Sequence, residues 1–205
     1  MDILVAPTPE GRYGQDLRSM IADRKVSRIM VNRDGLSFET AAPPLLILEI
    51  VPDPRFVVVG KGLEAAAFAE LVNGAGYDTV LLSPDAERLS LEVGISLPVV
   101  PLASPSAIKD VPIDAQTACV LFFHDHDLEP SLLAGILDSP AFYIGALGSQ
   151  RTAAHRISRL QAIGVPEGET RRIRGPIGVV PSTRDHRTLA VSVLAEVLME
   201  AQALL

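Results

Sequence analysis

Two short glycine-bearing turns offer the clearest chemistry in this sequence. The first is Gly60-Lys61-Gly62-Leu63-Glu64-Ala65, which follows the apolar run Phe56 to Val59 and opens a helical pattern. It matches the dinucleotide-binding form in which the third small residue is alanine. Glycine is needed there because the backbone must turn tightly and approach a phosphate closely, while the amides at the helix start favour an anion. A bound phosphate-bearing ligand is the favoured reading; the alternative is that the glycines only let strand and helix pack. The second turn is Gly145-Ala146-Leu147-Gly148-Ser149-Gln150-Arg151, again between a strand and a helix. Ser149 is placed to cap the helix, and neighbouring amides together with Arg151 make a second anion cradle. An ordinary cap with a solvated arginine fits that turn equally well. Two cradles at one sheet edge suit an elongated ligand with several anionic groups.

Three other places invite chemistry. About 20 residues after the first turn, dinucleotide enzymes offer a carboxylate to the ribose hydroxyls. This chain has Leu82-Ser83-Pro84-Asp85 there. Ser83 can hydrogen-bond a hydroxyl but cannot act as the bidentate acceptor that a carboxylate is, so selective NAD(P) binding is disfavoured. His124-Asp125-His126-Asp127 is dense in metal ligands, yet alternate residues on an extended chain face opposite ways and no remote partner is evident. We therefore expect Asp127 to begin the following helix, with His124 or Asp125 facing a ligand cleft and no metal. Cys119 falls within a strand, where a thiol is usually a small buried apolar group. The Glu10 to Gly14 and Glu167 to Glu169 stretches read as solvated connection.

The elements that position these turns follow from hydrophobic spacing. Before residue 50 the chain holds a hairpin, Val26 to Val31 and Leu36 to Thr40 around an Asp-Gly turn signal, and then an extended stretch, Leu45 to Ile50. Beyond it, short apolar runs alternate with helical periods, the sequence form of βαβ units. Strands are predicted at Phe56 to Val59, Thr79 to Leu82, Pro98 to Leu102, Ala118 to Phe123 and Phe142 to Leu147. Helices are predicted at Leu63 to Asn73, Leu128 to Leu137, Arg151 to Ile163 and Arg187 to Leu205. On the third helix Arg151, Arg156 and Arg159 supply the wet side. The last helix is almost uncharged and suits a homodimer or partner seam as well as ordinary core. The prediction is a small N-terminal β-containing region, residues 1–50, and a Rossmann-like, doubly wound, mostly parallel α/β domain, residues 51–205.

Composition narrows the function classes. At 205 residues and 48% apolar content the chain supports one sizeable core and excludes intrinsic disorder. Net charge is −7, which repels a phosphate backbone and disfavours general nucleic-acid binding. Six phenylalanines, three tyrosines and no tryptophan leave few stacking platforms. A single cysteine forbids an internal disulfide, the N-terminus has no basic n-region, and no apolar run reaches the ~20 residues of a membrane span. The expectation is a cytoplasmic protein.

The chain resembles the XdhC/CoxI family of xanthine dehydrogenase accessory proteins. The likeness rests on Phe142-Tyr143-Ile144-Gly145-Ala146-Leu147-Gly148-Ser149, then Arg174-Gly175-Pro176-Ile177-Gly178, then Ala190 to Glu196, with the histidine-aspartate run and the Gly60 turn in register. It covers roughly residues 45 to 205. The resemblance implies a Rossmann-type domain that binds the molybdenum cofactor, guards it while a cysteine desulfurase adds the terminal sulfur, and delivers it to a molybdenum hydroxylase. This is a chaperone activity rather than turnover of a substrate. Family ligand loops fall here at Gly60, Gly62, Gly148, Ser149 and Gly178. The chain departs from the family pattern at Leu63, where a histidine is usual, and at Ser83, where an acidic residue is. It departs again at Val179-Val180-Pro181-Ser182 and at Asp185-His186-Arg187, and the family's cysteine-bearing N-terminal domain is replaced by a short region without cysteine. The other readings are an NAD(P)-binding oxidoreductase and a degenerate scaffold that acts only through protein partners.

Overall fold

The computed structural model describes residues 11–33, 35–39, 43–93, 95–123 and 128–204. These form two compact units, residues 1–53 and residues 54–205.

The first unit opens with helix α1 (Gly11–Ala22). This corrects the expectation of solvated connection at its start. Gly11 and Gly14 lower helix propensity, but Gly14, Leu17 and Met20 recur at helical spacing and form the less exposed side. Three antiparallel strands follow, β1 (Ser27–Asn32), β2 (Gly35–Ser37) and β3 (Leu46–Ile50), in the order β2-β1-β3. Ile29 and Val31 alternate inward from the central strand. Asn32 pairs with Gly35, so the hairpin lies at the Asp-Gly signal, and Asn32 Nδ2 donates to Ser37 Oγ at 2.9 Å.

The second unit is a parallel sheet of six strands: β4 (Arg55–Gly60), β5 (Thr79–Ser83), β6 (Val99–Pro101), β7 (Thr117–Phe122), β8 (Tyr143–Ala146) and β9 (Ile173–Arg174). Their spatial order is β6-β5-β4-β7-β8-β9, and every pairing is parallel. The chain thus winds outward from β4 in one direction and returns from β7 in the other, which is the doubly wound Rossmann order. The helices are α2 (Gly62–Gly74), α3 (Ala86–Arg88), α4 (Glu129–Leu137), α5 (Gln150–Ala162), α6 (Glu167–Thr170) and α7 (His186–Ala201). A π-turn spans Leu89–Val93, a 3₁₀ segment Pro105–Asp110 follows β6, and another, Gln202–Leu204, ends α7.

Alternation along the strands divides the core into two layers. Phe56, Val58, Val120 and Tyr143 point to one face, where α2 and α7 cover them with Ala65, Phe68, Ala69, Val72, Val193 and Val197. Val57, Val59, Cys119, Leu121 and Ile144 point to the other, against Ile108, Leu132, Leu133 and Ile136 and against Leu160 of α5. Continuous apolar runs such as Phe56 to Val59 are what a strand covered on both faces requires. Phe68 lies across Phe56 and Phe122 at centroid distances of 6.1 and 5.3 Å, so three of the few aromatic rings form one cluster.

Two further expectations are corrected. The Glu167 stretch is a short helix started by Pro166 in extended conformation, rather than loop. Strand β9 stands outside the predicted strands, because it is too short to show a period of its own. The near-uncharged last helix is core on one side, where Leu189, Ala190, Val193 and Val197 are buried, and exposes Val191 and Met199 on the other.

Candidate functional site

Strand order dictates where a ligand would sit. Reversal of the winding between β4 and β7 leaves a crevice at their carboxyl ends. The Gly60 turn leaves β4 there, and Phe123 leaves β7 toward the His124 to Asp127 run, which lies outside the described residues. One strand further along, β8 delivers the Gly148 turn. The two glycine turns therefore share one edge, separated by two strand spacings, roughly 10 Å at about 4.8 Å each.

Close approach explains the first turn. A Cβ on Gly60 would stand 2.6 Å from the carbonyl oxygen of Phe122 and 2.8 Å from its Cβ. Glycine is thus what lets β4 and β7 meet at the crevice. The Lys61 amide donates to the same carbonyl at 3.3 Å, and Lys61 is half-buried. Gly62 opens α2 with φ +79°, a conformation that favours glycine. No side chain caps α2, leaving its amino end as main chain with Glu64 in the first turn.

The second turn is more tightly built. Gly148 has φ +148°, and an added Cβ would sit 2.8 and 2.9 Å from Thr152 Cγ2 and Cβ. Ser149 caps α5 as expected, accepting from the Thr152 amide at 3.2 Å. Arg151 is exposed in the first turn. Below the turn lies Arg156, and this overturns its assignment to the wet side of the helix. Its side chain is 1% exposed, it meets Glu129 Oε1 at 2.9 Å, and Glu129 is equally enclosed. The same Nη2 donates to the Leu147 carbonyl at 2.6 Å. Helical spacing places Arg156 only on the side of α5; no sequence signal says that a glutamate 27 residues earlier waits there.

The remaining expected residues divide. Gly145 is inside β8 rather than in the turn: its missing side chain makes room for the Tyr143 ring, 2.5 Å from where a Cβ would be, and for Ile177. Ser83 ends β5 fully buried, and its Oγ accepts the Asp85 amide at 3.0 Å, so the hydroxyl serves its own turn. His124 and Asp125 lie outside the described residues. Gly178, at φ +100°, is strapped to α7: its amide donates to the Glu196 carboxylate, and the Val180 amide to Ser192 Oγ at 2.7 Å. Sequence reasoning read α7 as an apolar element and missed Ser192 and Glu196, although their one-turn spacing on that helix was the available signal. Burial first, and then the Glu196 carboxylate, push the Tyr143 phenol far above its usual range.

Cys119 is inert, with burial raising its thiol to about 12 against a lesser opposing effect of Arg172. Among the described residues no group of histidine, cysteine and acidic side chains could hold a metal ion, and no helix is long and apolar enough to cross a membrane.

The sequence model of the XdhC Rossmann domain matches residues 56–197. The chain belongs to the XdhC family. Its XdhC-type domain coincides with the parallel-sheet unit and includes both glycine turns. The molybdenum cofactor insertion chaperone PaoD of Escherichia coli (strain K12) is 34% identical over 186 residues, covering 91% of this chain and 49% of PaoD. YqeB of the same organism, an uncharacterized protein, is 26% identical over 149 residues, covering 71% of this chain and 27% of YqeB. This XdhC member therefore spans half or less of the length of the curated relatives it matches. A crystal structure described as a xanthine dehydrogenase from Bacillus halodurans superposes with a TM-score of 0.67 at 14% identity, over 94% of this chain and 64% of that one. At that identity it speaks for the fold alone.

Proposed function

We propose that this chain is an accessory protein for a molybdenum hydroxylase and that it binds the molybdenum cofactor as cargo along the carboxyl edge of the β4–β7–β8 strands. The observation that carries the reading is likeness to an insertion chaperone over nearly the whole chain, joined to two glycine turns on one edge that a cofactor with a phosphate and several polar groups would need. In this reading Gly60, Lys61 and Gly62 receive the cargo at the crevice. Gly148, Ser149 and Arg151 present main-chain amides and a guanidinium one strand away, and Gly178 shapes the far wall. His124 and Asp125, which follow β7 in the sequence, complete the set of cargo-binding residues in this reading. A hydroxylase receives the cargo and a cysteine desulfurase modifies it.

The residues present fit such a cargo through backbone rather than charge. The amino ends of α2 and α5 favour an anion. Ser83 is not available to a ribose hydroxyl, because its Oγ is enclosed and already accepts an amide. That removes the main polar contact of the NAD(P) alternative.

The test is direct. Protein purified without oxygen should release molybdopterin when denatured, detected by mass spectrometry. It should also bind added molybdopterin with a Kd in the micromolar range or tighter, about −8 kcal/mol or more. Absence of molybdopterin from the released small molecules, together with binding that does not saturate, would refute the reading. NAD(P) among the released molecules would point to the oxidoreductase instead.

A further inference from the structure

We propose that Arg156 is the positioning residue of the cargo site, fixing the Gly148 turn from beneath; this rests on the function proposed above. Its guanidinium joins three parts of the domain. Nη2 reaches Glu129 at the first turn of α4 and the Leu147 carbonyl at the end of β8. The guanidinium also touches the surface of both neighbouring turns: Cβ atoms added to Gly148 and Gly175 would lie 3.4 Å from Nη2 and 3.3 Å from Nη1. The guanidinium thus lies in contact distance of both glycines.

Three observations separate this from ordinary stabilisation. A buried ion pair is weak support for a fold, since apolar residues of similar volume usually serve as well. Nε and Nη1 are buried with no hydrogen-bond partner among the described residues, so the guanidinium is held where its bonding to them is incomplete, a state that tends to persist at functional sites. Its one backbone bond goes to the residue that precedes Gly148. Fixing the Leu147 carbonyl sets the plane of the next peptide, and with it the direction of the amides that begin α5. Glu129 makes burial of the cation tolerable.

The full chain is tested with three variants. Arg156→Met takes the guanidinium away from the buried Glu129 carboxylate and should lose both stability and affinity. The double variant Arg156→Met/Glu129→Leu removes both charges and should unfold within a few degrees of wild type, yet bind molybdopterin at least tenfold more weakly. Val197→Ala, which opens a cavity in the α2–α7 layer, should lower the melting temperature while keeping affinity within twofold. Amide hydrogen exchange of the unliganded protein is the second readout: residues 147–152 should exchange at least tenfold faster in the double variant and unchanged in Val197→Ala. The proposal is overturned if affinity follows melting temperature across the three, or if the double variant matches wild type in both binding and exchange. Should wild type itself bind no molybdopterin, the cargo reading fails, and exchange at 147–152 alone decides whether Arg156 holds the turn.

Discussion

Replacing Gly148 by alanine tests whether the second turn is built as described. Two independent costs arise. The backbone at φ +148° lies where a residue with a Cβ is strained, at ~1–3 kcal/mol. The new methyl group also arrives 2.8 and 2.9 Å from Thr152 Cγ2 and Cβ. Thr152 cannot swing away freely, because its amide and hydroxyl are both engaged with Ser149, so overpacking adds ~1–3 kcal/mol. The expected loss is about 2–6 kcal/mol, a large part of the ~5–15 kcal/mol that holds an ordinary domain. At ~2–4 °C per kcal/mol for a unit of this size, the melting temperature should fall by roughly 4–24 °C. Thermal unfolding followed by circular dichroism measures it. Gly74→Ala is the control: it closes α2 with nothing within 4 Å of the same added carbon and no positive φ, so it should gain ~0.4–1 kcal/mol. A Gly148→Ala protein melting within 2 °C of wild type would refute the geometry of the turn and the argument that glycine is required there.

Three further outcomes follow from the same packing. Cys119 should not react with a thiol reagent in the native protein and should react fully in denaturant; its pKa of about 12 against an ordinary 9.0 means that between those values the unfolded chain releases a proton that the folded chain keeps. Stability therefore declines as pH rises above 9, and the decline should be shallower in Cys119→Ala; an unchanged slope would argue against the burial. Asp185→Ala should lower the melting temperature, because its carboxylate accepts the Arg187 and Thr188 amides at 3.1 and 2.9 Å at the start of α7. The Thr188 hydrogen bonds hold this carboxyl below its ordinary range, so the stabilisation is complete above that range and fades as pH falls through the lowered value. Arg172→Ala should cost roughly 2 kcal/mol, reduced by its partial exposure, since Arg172 donates to the carbonyls of Leu137, Ser139 and Ala141 beyond the end of α4; an unchanged melting temperature would count against that cap.

Much of the architecture was legible because it follows from periodicity. Apolar runs such as Phe56 to Val59 and Ala118 to Phe123 stand between helical patterns, and that alternation leads to a parallel sheet without knowledge of long-range contacts. Elements that depend on partners were not legible. Strand β9 is two residues whose extended form comes from pairing with β8. Helix α1 begins through two glycines that individually argue against it. Gly60, Gly62, Gly148 and Ser149 were readable because a turn dictates residue type locally. Gly145 lies within the strand predicted from Phe142 to Leu147, and what was not legible is the reason for its glycine, the Tyr143 ring two positions earlier on the same face. Arg156 was misread because arginine on an amphipathic helix is ordinarily solvated, and only its meeting with Glu129 changes that.

The rim of the crevice differs in kind from its floor. Leu63, Val179 and Val180 are exposed apolar residues, at places where the chain departs from the pattern its family resemblance leads one to expect. The carboxyl groups and hydroxyls nearest that rim are engaged inward: Ser83 with Asp85, Ser192 with Val180, Glu196 with Gly178. In the proposed reading the cargo meets the main chain at the amino ends of α2 and α5, with the exposed Arg151 beside the second. Amides directed by a rigid turn discriminate by geometry, so affinity at such a site depends on how firmly the turn is held rather than on how many charges surround it. On the proposed reading, holding a cargo therefore rests on the strap beneath the Gly148 turn, Leu147 to Arg156 to Glu129.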